Sequence, residues 1–232
     1  MTLLRVATFL AFGVGHGAQE SVWPAFRLGL RFDLRVVAAV LLPLLALGRL
    51  PFLDPFRDGF GRRFWLTLLG AVATGLMVLY VADFLHYRYV NQRLNASVLT
   101  FLGDAKISAS MVWESYPVVW IGLGITGGVA AAVGLIGALH RWAAGPGASL
   151  PRAGRKLWHG TVFLAGVVGI YGRVGQYPLR WSDAFNLRSE ASANLALNPV
   201  ESFTSSLSFR TAGFEVEKVR RHYARLSTYL GV

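Results

Sequence analysis

"PVVWIGLGITGGVAAAVGLIGAL", residues 117–139, is an uninterrupted run of 23 uncharged and mostly apolar residues. At 1.5 Å per residue, a helix of that length covers roughly 35 Å, which is enough to cross the roughly 30 Å hydrocarbon core of a bilayer. A second run, residues 64–82, holds 19 uncharged residues and ends at Asp83. Both runs are predicted to be transmembrane helices.

Three shorter apolar runs lie around these two, at residues 3–17, 36–48 and 157–172. The run 36–48 is too short to span a bilayer alone, so its helix must extend into its flanks, with Arg35 and Arg49 reaching toward the head groups. The sequence therefore predicts an all-α, polytopic membrane bundle of about five transmembrane helices. For the first run, a cleaved signal peptide is the alternative, because Arg5 precedes a short apolar region and small residues.

The composition also favours a membrane protein. The chain has 232 residues, of which 54% are hydrophobic and 15% charged, whereas soluble domains have about 25% charged residues. The absence of cysteine excludes disulfides and thiolate metal sites. The net charge of +11 comes from basic residues that lie singly or in pairs between apolar runs. That distribution favours positions flanking a membrane, and no nucleic-acid partner is expected.

The distribution of basic residues also predicts an orientation. With the N-terminus in the cytoplasm, nine basic residues lie on the inner side and six in the outer loops. The positive-inside rule then favours an inner N-terminus and an outer C-terminus. In this orientation Arg5 lies on the inner side of the membrane, opposite the outer end of the second helix.

Two further patterns concern the helices and their connections. Small residues spaced four apart predict close helix packing, and they are Ala71 with Gly75, Gly124 with Gly128, and Ala165 with Gly169. The long loop before residue 117 has Leu94, Val98, Phe101 and Leu102 at helical spacing, which predicts one or two short helices along the membrane interface.

The segment that follows the fifth run is predicted to be ordered. Asn198, Pro199 and Glu201 form a typical helix start, with a side-chain cap, a proline in the first turn and an acidic residue after it. Its large apolar residues are expected to face the bundle or lipid, and they are Trp181, Phe185, Leu195, Leu197 and Phe203. A second amphipathic helix is predicted from about residue 215 to 230. The chain therefore divides into a transmembrane domain, residues 1–175, and an extracytoplasmic amphipathic connector, residues 176–232.

The most informative polar stretch is "GLRFDLR", residues 29–35. It places Arg31, Asp33 and Arg35 at the predicted outer mouth of the second helix, where ionisable groups tend to pair or to bind a ligand. We expect a site for a lipid head group or an anionic substrate, with Arg173 and Arg180 nearby. The alternative is a set of interfacial anchors that neutralise one another.

Asp83 and Glu114 lie just outside predicted spans and are expected to pair with these arginines. The candidate head-group residues are thus Arg31, Asp33, Arg35, Asp83, Glu114 and Arg180. No motif predicts a catalytic residue, a cofactor site or a metal site in this chain.

Three stretches resemble a known family: "GLRFDLRVVAAVLLP", "MVWESYPV" and "YPLRWSDAF…NLALNPVESFTSSL". They are similar to the membrane portion of lipoteichoic acid synthase-like proteins, the phosphoglycerol transferases and related sulfatase-type enzymes of the alkaline phosphatase superfamily. The resemblance implies five transmembrane helices in a bacterial inner or plasma membrane, a short connector and a large extracytoplasmic α/β domain. That domain holds a threonine nucleophile and divalent metal ligands.

This sequence matches neither the threonine motif nor the metal-ligand motifs, so no catalytic residue is carried over and the catalytic domain is expected to be absent. The resemblance implies a membrane anchor or platform that is inactive alone. Its partners would be membrane lipids and an extracytoplasmic sulfatase-type domain or subunit. A small transporter or channel-like protein is the alternative, although no internal repeat supports it.

Overall fold

The computed structural model describes residues 1–12, 21–56, 59–145, 152–207 and 216–231. Within these ranges the chain is helical and contains no strand, which confirms the all-α prediction. In chain order the described helices are α1 (Thr2–Phe12), α2 (Trp23–Leu47), α3 (Phe60–Val90), a 3-10 helix (Ala96–Asp104), α4 (Ala105–Ser115), α5 (Val118–Ala143), α6 (Arg152–Tyr171), a second 3-10 helix (Trp181–Asn186), α7 (Glu190–Ala196), α8 (Pro199–Leu207) and α9 (Val216–Leu230).

Two of the described helices, α3 and α5, are long and apolar enough to cross a membrane. They have 31 and 26 residues and contain the two longest apolar runs of the sequence. The α3 helix continues past residue 82 and includes Asp83, so this carboxylate belongs to the helix and not to the following loop. Asn91 ends α3 in a left-handed conformation with φ 57°, which asparagine tolerates better than most residues.

The α2 helix begins well before the apolar run 36–48 that predicted it. It starts at Trp23, with Pro24 in its first turn, and Arg35 lies in its middle. The predicted extension of this helix beyond residues 36–48 is therefore confirmed on the N-terminal side, and it is longer than a few flanking residues, since Arg35 lies well inside the helix. The charged stretch 29–35 concealed the helix because it interrupts the apolar pattern, although none of its residues prevents helix formation.

The helices pack in pairs, α2 against α6 and α3 against α5, while α1 contacts both α2 and α3. Glycine allows two of these contacts. A Cβ atom on Gly169 of α6 would lie 3.1 Å from the Cβ atom of Ala38, and one on Gly128 of α5 would lie 2.9 Å from Cε of Met77. The small-residue prediction is confirmed at these two positions. A Cβ atom on Gly75 or Gly124 would meet no described atom within 4 Å.

The connection between α3 and α5 contains the first 3-10 helix and α4, as the sequence predicted. The α8 helix likewise starts at Pro199, and Oδ1 of Asn198 accepts a hydrogen bond of 2.8 Å from the backbone N–H of Glu201. That bond is the predicted side-chain cap.

The hydrophobic core lies between α2 and the chain that follows α6, toward one end of the bundle. Ala25 and Phe32 of α2 pack there with buried residues of the later segment, namely Leu179, Ala184, Ala193, Leu195, Ala196 and Leu197. Of the five apolar residues predicted to face the bundle or lipid, Leu195 and Leu197 are buried, Trp181 and Phe203 are half-buried, and Phe185 is 53% exposed. By contrast, no residue of α5 is buried, and apart from the side that packs against α3 its large apolar side chains, such as Trp120, Leu123 and Leu135, are exposed.

Candidate functional site

Residues 179–207, which include the second 3-10 helix, α7 and α8, form a folded unit that we name the cap. The cap packs against α2 through the hydrophobic core. Three arginines from elsewhere in the chain bind it. These clamp arginines are Arg5, Arg35 and Arg93. Each donates at least one hydrogen bond to a backbone carbonyl of the cap and forms an ion pair with a carboxylate.

Arg5 of α1 pairs with Asp33 of α2 through both guanidinium Nη atoms. The distances are 2.7 Å from Nη1 to Oδ2 and 3.0 Å from Nη2 to Oδ1. Its Nε donates to the carbonyl of Leu195 at 2.9 Å, and Nη2 also donates to that of Ala196 at 3.3 Å. Only 3% of Arg5 is exposed. This two-point geometry is the strongest form of an arginine–carboxylate contact.

Gly29 makes room for this contact. It precedes Asp33 by one helical turn and therefore lies on the same face of α2. A Cβ atom at position 29 would come within 2.4 Å of the guanidinium carbon of Arg5. A glycine at this position thus lets the guanidinium lie against the helix backbone.

The Arg5–Asp33 pair overturns two predictions. Arg5 lies at the same end of the bundle as Asp33 and the cap, so the expectation that the two lie on opposite sides of the membrane is wrong. The alternative prediction, that Arg31, Asp33 and Arg35 neutralise one another, is also wrong. Asp33 pairs with Arg5 and further accepts hydrogen bonds of 3.2 Å from Thr2 Oγ1 and Asn198 Nδ2.

Arg93 pairs with Asp83 of α3, with 2.5 Å between Nη1 and Oδ2. Its Nε donates to the carbonyl of Asn194 at 2.7 Å, and its guanidinium lies 5.4 Å from the ring centre of Tyr87. The other Asp83 oxygen accepts the backbone N–H of Leu94 at 2.9 Å. Asp83 was expected to pair with Arg31, Arg35 or Arg180. That expectation is wrong, because a nearer arginine on the turn after α3 occupies it.

Arg35 joins α2, α6 and the cap. Its Nη1 lies 2.7 Å from Oε1 of Glu201, its Nε donates to the carbonyl of Ile170 at 2.9 Å, and its Nη2 donates to that of Leu179. Burial raises the pKa of Glu201 above its ordinary value, and the charge and hydrogen bond of Arg35 only partly offset that effect. Arg35 therefore does not extend toward lipid head groups.

The carbonyls at the end of α7 can accept hydrogen bonds from the clamp arginines for a local reason. Helix α7 ends at Ala196, and the last carbonyls of a helix have no partner within it. The chain cannot continue the helix because Asn198 precedes a proline, which disfavours the helical conformation. The carbonyls of Asn194, Leu195 and Ala196 are the negative end of α7, so guanidinium groups suit them in charge as well as in hydrogen bonding.

The remaining predicted head-group residues make no contact with the clamp arginines or their carboxylates among the described interactions. Arg31, Glu114 and Arg180 are exposed, and Arg31 and Glu114 form no ion pair with any described residue. The guanidinium of Arg180 lies 5.6 Å from the ring centre of Tyr177 and not beside Arg31 and Asp33, contrary to prediction. The structure thus brings Asp33, Arg35 and Asp83 to the cap and leaves the other three apart.

Sequence reasoning missed Arg5, Arg93, Asn198 and Glu201 as members of this site. For Arg5 a signal existed: it is a single charge inside an apolar run, where charged residues usually face a protein interior and pair. For Arg93 the sequence offered no comparable signal, since it lies beside Gln92 and near Asn91 and Asn95 in a polar stretch outside the predicted spans.

A small cavity of about 10 Å³ lies between the ion pairs, and Arg5, Tyr80, Asp83, Arg93 and Asn198 line it. This volume corresponds to about one water molecule. The hydroxyl of Tyr80 is buried there without a hydrogen-bond partner among the described residues. The described residues also contain no group of three His, Cys, Asp or Glu side chains that could hold a metal ion.

Comparisons of the chain with protein-family models, with curated proteins and with solved structures give no match.

Proposed function

We propose that this chain is a membrane-embedded platform that holds the cap in one orientation on its helical bundle and presents α9 to a partner domain. The observation that carries the proposal is the set of three clamp arginines. Arg5 and Arg93 bind consecutive carbonyls at the end of α7, and Arg35 binds Leu179 and Glu201.

The energetics favour a fixed cap over a loosely attached tail. Each hydrogen bond to a charged group contributes about 1.5–3 kcal/mol, and removing one partner of a buried ion pair costs about 3–5 kcal/mol. The ion pairs of Arg5 and Arg93 are almost fully buried, with side-chain exposures of 2–6%. A segment bound in this way keeps its orientation relative to the bundle, which is what a platform requires.

A membrane location is supported by α3 and α5, the two helices with the length and hydropathy to cross a bilayer. Large apolar side chains are exposed along the bundle, including Leu123, Val133 and Leu135 of α5 and Leu164 of α6. A soluble protein rarely exposes such a continuous apolar surface. In our proposal the five helices that contain the apolar runs, α1, α2, α3, α5 and α6, associate with the membrane. The cap then lies on the outer face of the membrane.

The family resemblance suggests what the partner is. We propose a phosphoglycerol-transferase or sulfatase-type domain, with the chain in a bacterial inner or plasma membrane and its C-terminus outside. Two of the resembling stretches, residues 29–43 and residues 177–207, contact each other. Asn198 donates a hydrogen bond to Asp33, and Arg35 forms an ion pair with Glu201. A divalent metal would belong to the partner domain, and this chain would be inactive alone.

The alternative of a small transporter or channel has less support. The cavity between the buried ion pairs measures about 10 Å³, and each carboxylate that lines or adjoins it is bound by an arginine. A substrate larger than water would have to break these pairs.

Limited trypsin digestion of the full chain in sealed vesicles, with the cap side outward, tests the proposal. Cleavage is expected first in α9, between Lys218 and Arg225, because none of the described α9 side chains is buried. Arg180 and Arg188 have exposed side chains, but they lie in the cap, whose neighbouring residues Leu179 and Ala184 are buried, so the backbone there should resist cleavage. Equally rapid cleavage at Arg180 and Arg188 would contradict a docked cap. Metal-dependent hydrolysis of a soluble phosphodiester by the purified chain would contradict an inactive platform.

A further inference from the structure

A groove of about 340 Å³ runs between α2 and α6 at the end of the bundle that carries the cap. Its apolar wall consists of Leu34 of α2 with Ala165, Val168 and Gly169 of α6. The three α6 residues lie on one face of the helix, because they are spaced three and four apart. Leu34 and Val168 are half exposed, at 51% and 50%.

Two arginines close the groove at one end. Arg31 lies one turn before Leu34 on α2, and Arg173 follows the end of α6. Arg31 is exposed and pairs with no described carboxylate, while Nη1 of Arg173 lies 3.6 Å from Oδ1 of Asp183 at a half-exposed position. The groove thus has a positively charged end and an apolar length of about 10 Å along α6, from residue 165 to 172.

We propose that this groove binds one anionic membrane phospholipid, with its phosphate at Arg31 and Arg173 and an acyl chain along Leu34, Ala165 and Val168. This assignment rests on the membrane location in the proposed function. Arginine donors match phosphate oxygens in geometry and charge. A soluble phosphate would use the arginines alone and leave the apolar wall exposed, so the continuity of the two surfaces selects a lipid.

Glycine shapes the floor of the groove. Gly169 allows α6 to lie against Ala38 of α2, which keeps the two helix backbones close below the groove. Gly172 has φ +77°, a conformation that favours glycine, and it turns the chain so that Arg173 follows directly above the apolar wall. Of the six residues that the sequence predicted for head-group binding, Arg31 lines this groove.

The affinity of the purified full chain for dioleoyl phosphatidylglycerol and dioleoyl phosphatidylcholine can be measured by native mass spectrometry. The anionic lipid should bind more tightly, and Arg31→Ala should weaken its binding by about fivefold, the effect of one basic residue near a lipid surface. Arg27→Ala is the matched control, since Arg27 is exposed one turn earlier on the same helix and lies outside the groove. An equal loss in both variants, or no preference for the anionic lipid, would overturn the proposal.

A second pair of variants tests the apolar wall. Ala165→Trp should fill the groove and weaken binding of the anionic lipid, while Ala131→Trp, at an exposed position of α5, should leave it unchanged. Inorganic phosphate at millimolar concentration should not compete, and full competition would show a phosphate site without a lipid.

Alkaline extraction of membranes distinguishes a failure of the membrane platform from a failure of the lipid site. Release of the protein would contradict the membrane platform itself, whereas a retained protein with equal Arg31→Ala and Arg27→Ala affinities contradicts only the lipid site.

Discussion

Arg5 and Asp33 form a bidentate ion pair, at 2.7 and 3.0 Å, that joins α1 to α2 beneath the cap. The same guanidinium binds the carbonyls of Leu195 and Ala196, so one side chain links three separate parts of the chain. Arg93, on the turn after α3, and Arg35 of α2 likewise each pair with a carboxylate and bind a carbonyl of the cap. The cap is therefore bound at three points, and each point can be tested separately.

Replacing Arg5 should destabilise the protein more than replacing both members of its pair. Arg5→Met leaves the Asp33 carboxylate buried without its cation, which costs about 3–5 kcal/mol. The double variant Arg5→Met with Asp33→Leu removes that uncompensated charge and should recover part of the loss. Thermal unfolding in detergent, arranged as a double-mutant cycle, measures the coupling. Arg27→Met, at an exposed position, is the control and should have little effect. Additive single effects would show that the pair does not stabilise the fold.

Gly29→Ala should be harmful only while Arg5 is present. The new Cβ atom would meet the guanidinium of Arg5 at 2.4 Å, and overpacking of this kind costs about 1–3 kcal/mol. In the Arg5→Ala background the same substitution should be neutral or slightly stabilising, because alanine is favoured over glycine in a helix by about 1 kcal/mol.

Gly75→Ala on α3 is the matched control for this experiment, since its Cβ atom would enter open space. It should be neutral or stabilising in both backgrounds, as judged by the temperature of half-unfolding. If Gly29→Ala behaves like Gly75→Ala in the wild-type background, Arg5 does not lie against α2.

Glu201 should make the stability of the protein fall as the pH rises through its titration. Burial raises the pKa of Glu201 in the folded chain above its value in the unfolded chain. Between the two pKa values the folded state binds more protons than the unfolded state, so the free energy of unfolding decreases with increasing pH. Above the folded-state pKa this contribution becomes constant.

Glu201→Gln should remove that decrease, because glutamine does not titrate. Unfolding by denaturant at a series of pH values from about 4 upward, the range set by the ordinary pKa of glutamate, gives the comparison. Glu114→Gln, at an exposed position, should leave the pH dependence as in the wild type. A Glu201→Gln variant with an unchanged pH dependence would show that Glu201 is not buried beside Arg35.

Asn198→Asp should keep the cap of α8 and still weaken the site. A carboxylate accepts the N–H of Glu201 as well as an amide does, but it cannot donate to Asp33, whose Oδ1 lies 3.2 Å from Asn198 Nδ2. Two carboxylates at that distance repel, so the variant should be destabilised at neutral pH and recover as the pH falls. Asn95→Asp is the control, since Asn95 Oδ1 accepts the N–H of Ser97 at 2.9 Å and no acidic side chain of the described residues hydrogen-bonds to Asn95. Thermal unfolding at two pH values compares the variants.

The features that the sequence predicted correctly are those fixed by local chemistry. The start of α8 depends on Asn198, Pro199 and Glu201 within four residues, and the apolar centres of α3 and α5 depend on composition alone. The start of α2 at Trp23 was missed because the charged stretch interrupts the apolar pattern. Its residues Asp33 and Arg35 are bound by Arg5 and by the cap, which only the tertiary fold provides.

The partners of the charged residues could not be predicted from spacing. Asp33 pairs with a cation 28 residues earlier, on another helix. Counting basic residues on each side of a membrane placed Arg5 on the side opposite to Asp33, although the two side chains form an ion pair. Periodicity gives the face of a helix on which a residue lies, but it does not say which other helix covers that face. The five-span count and the orientation of the bundle stay predictions.

The accessibility of a single thiol in α7 tests the docked cap most directly. The chain has no cysteine, so Ser192→Cys introduces one thiol at a position that is 6% exposed, and Ser182→Cys introduces one at an exposed position of the same cap. With a membrane-impermeant maleimide, Ser192→Cys should react much more slowly than Ser182→Cys. Adding Arg93→Ala should accelerate the reaction at Ser192→Cys, whereas adding Arg88→Ala, which removes an exposed arginine from the end of α3, should not. Equal rates at the two cysteines in the otherwise wild-type chain would contradict a cap held by the clamp arginines.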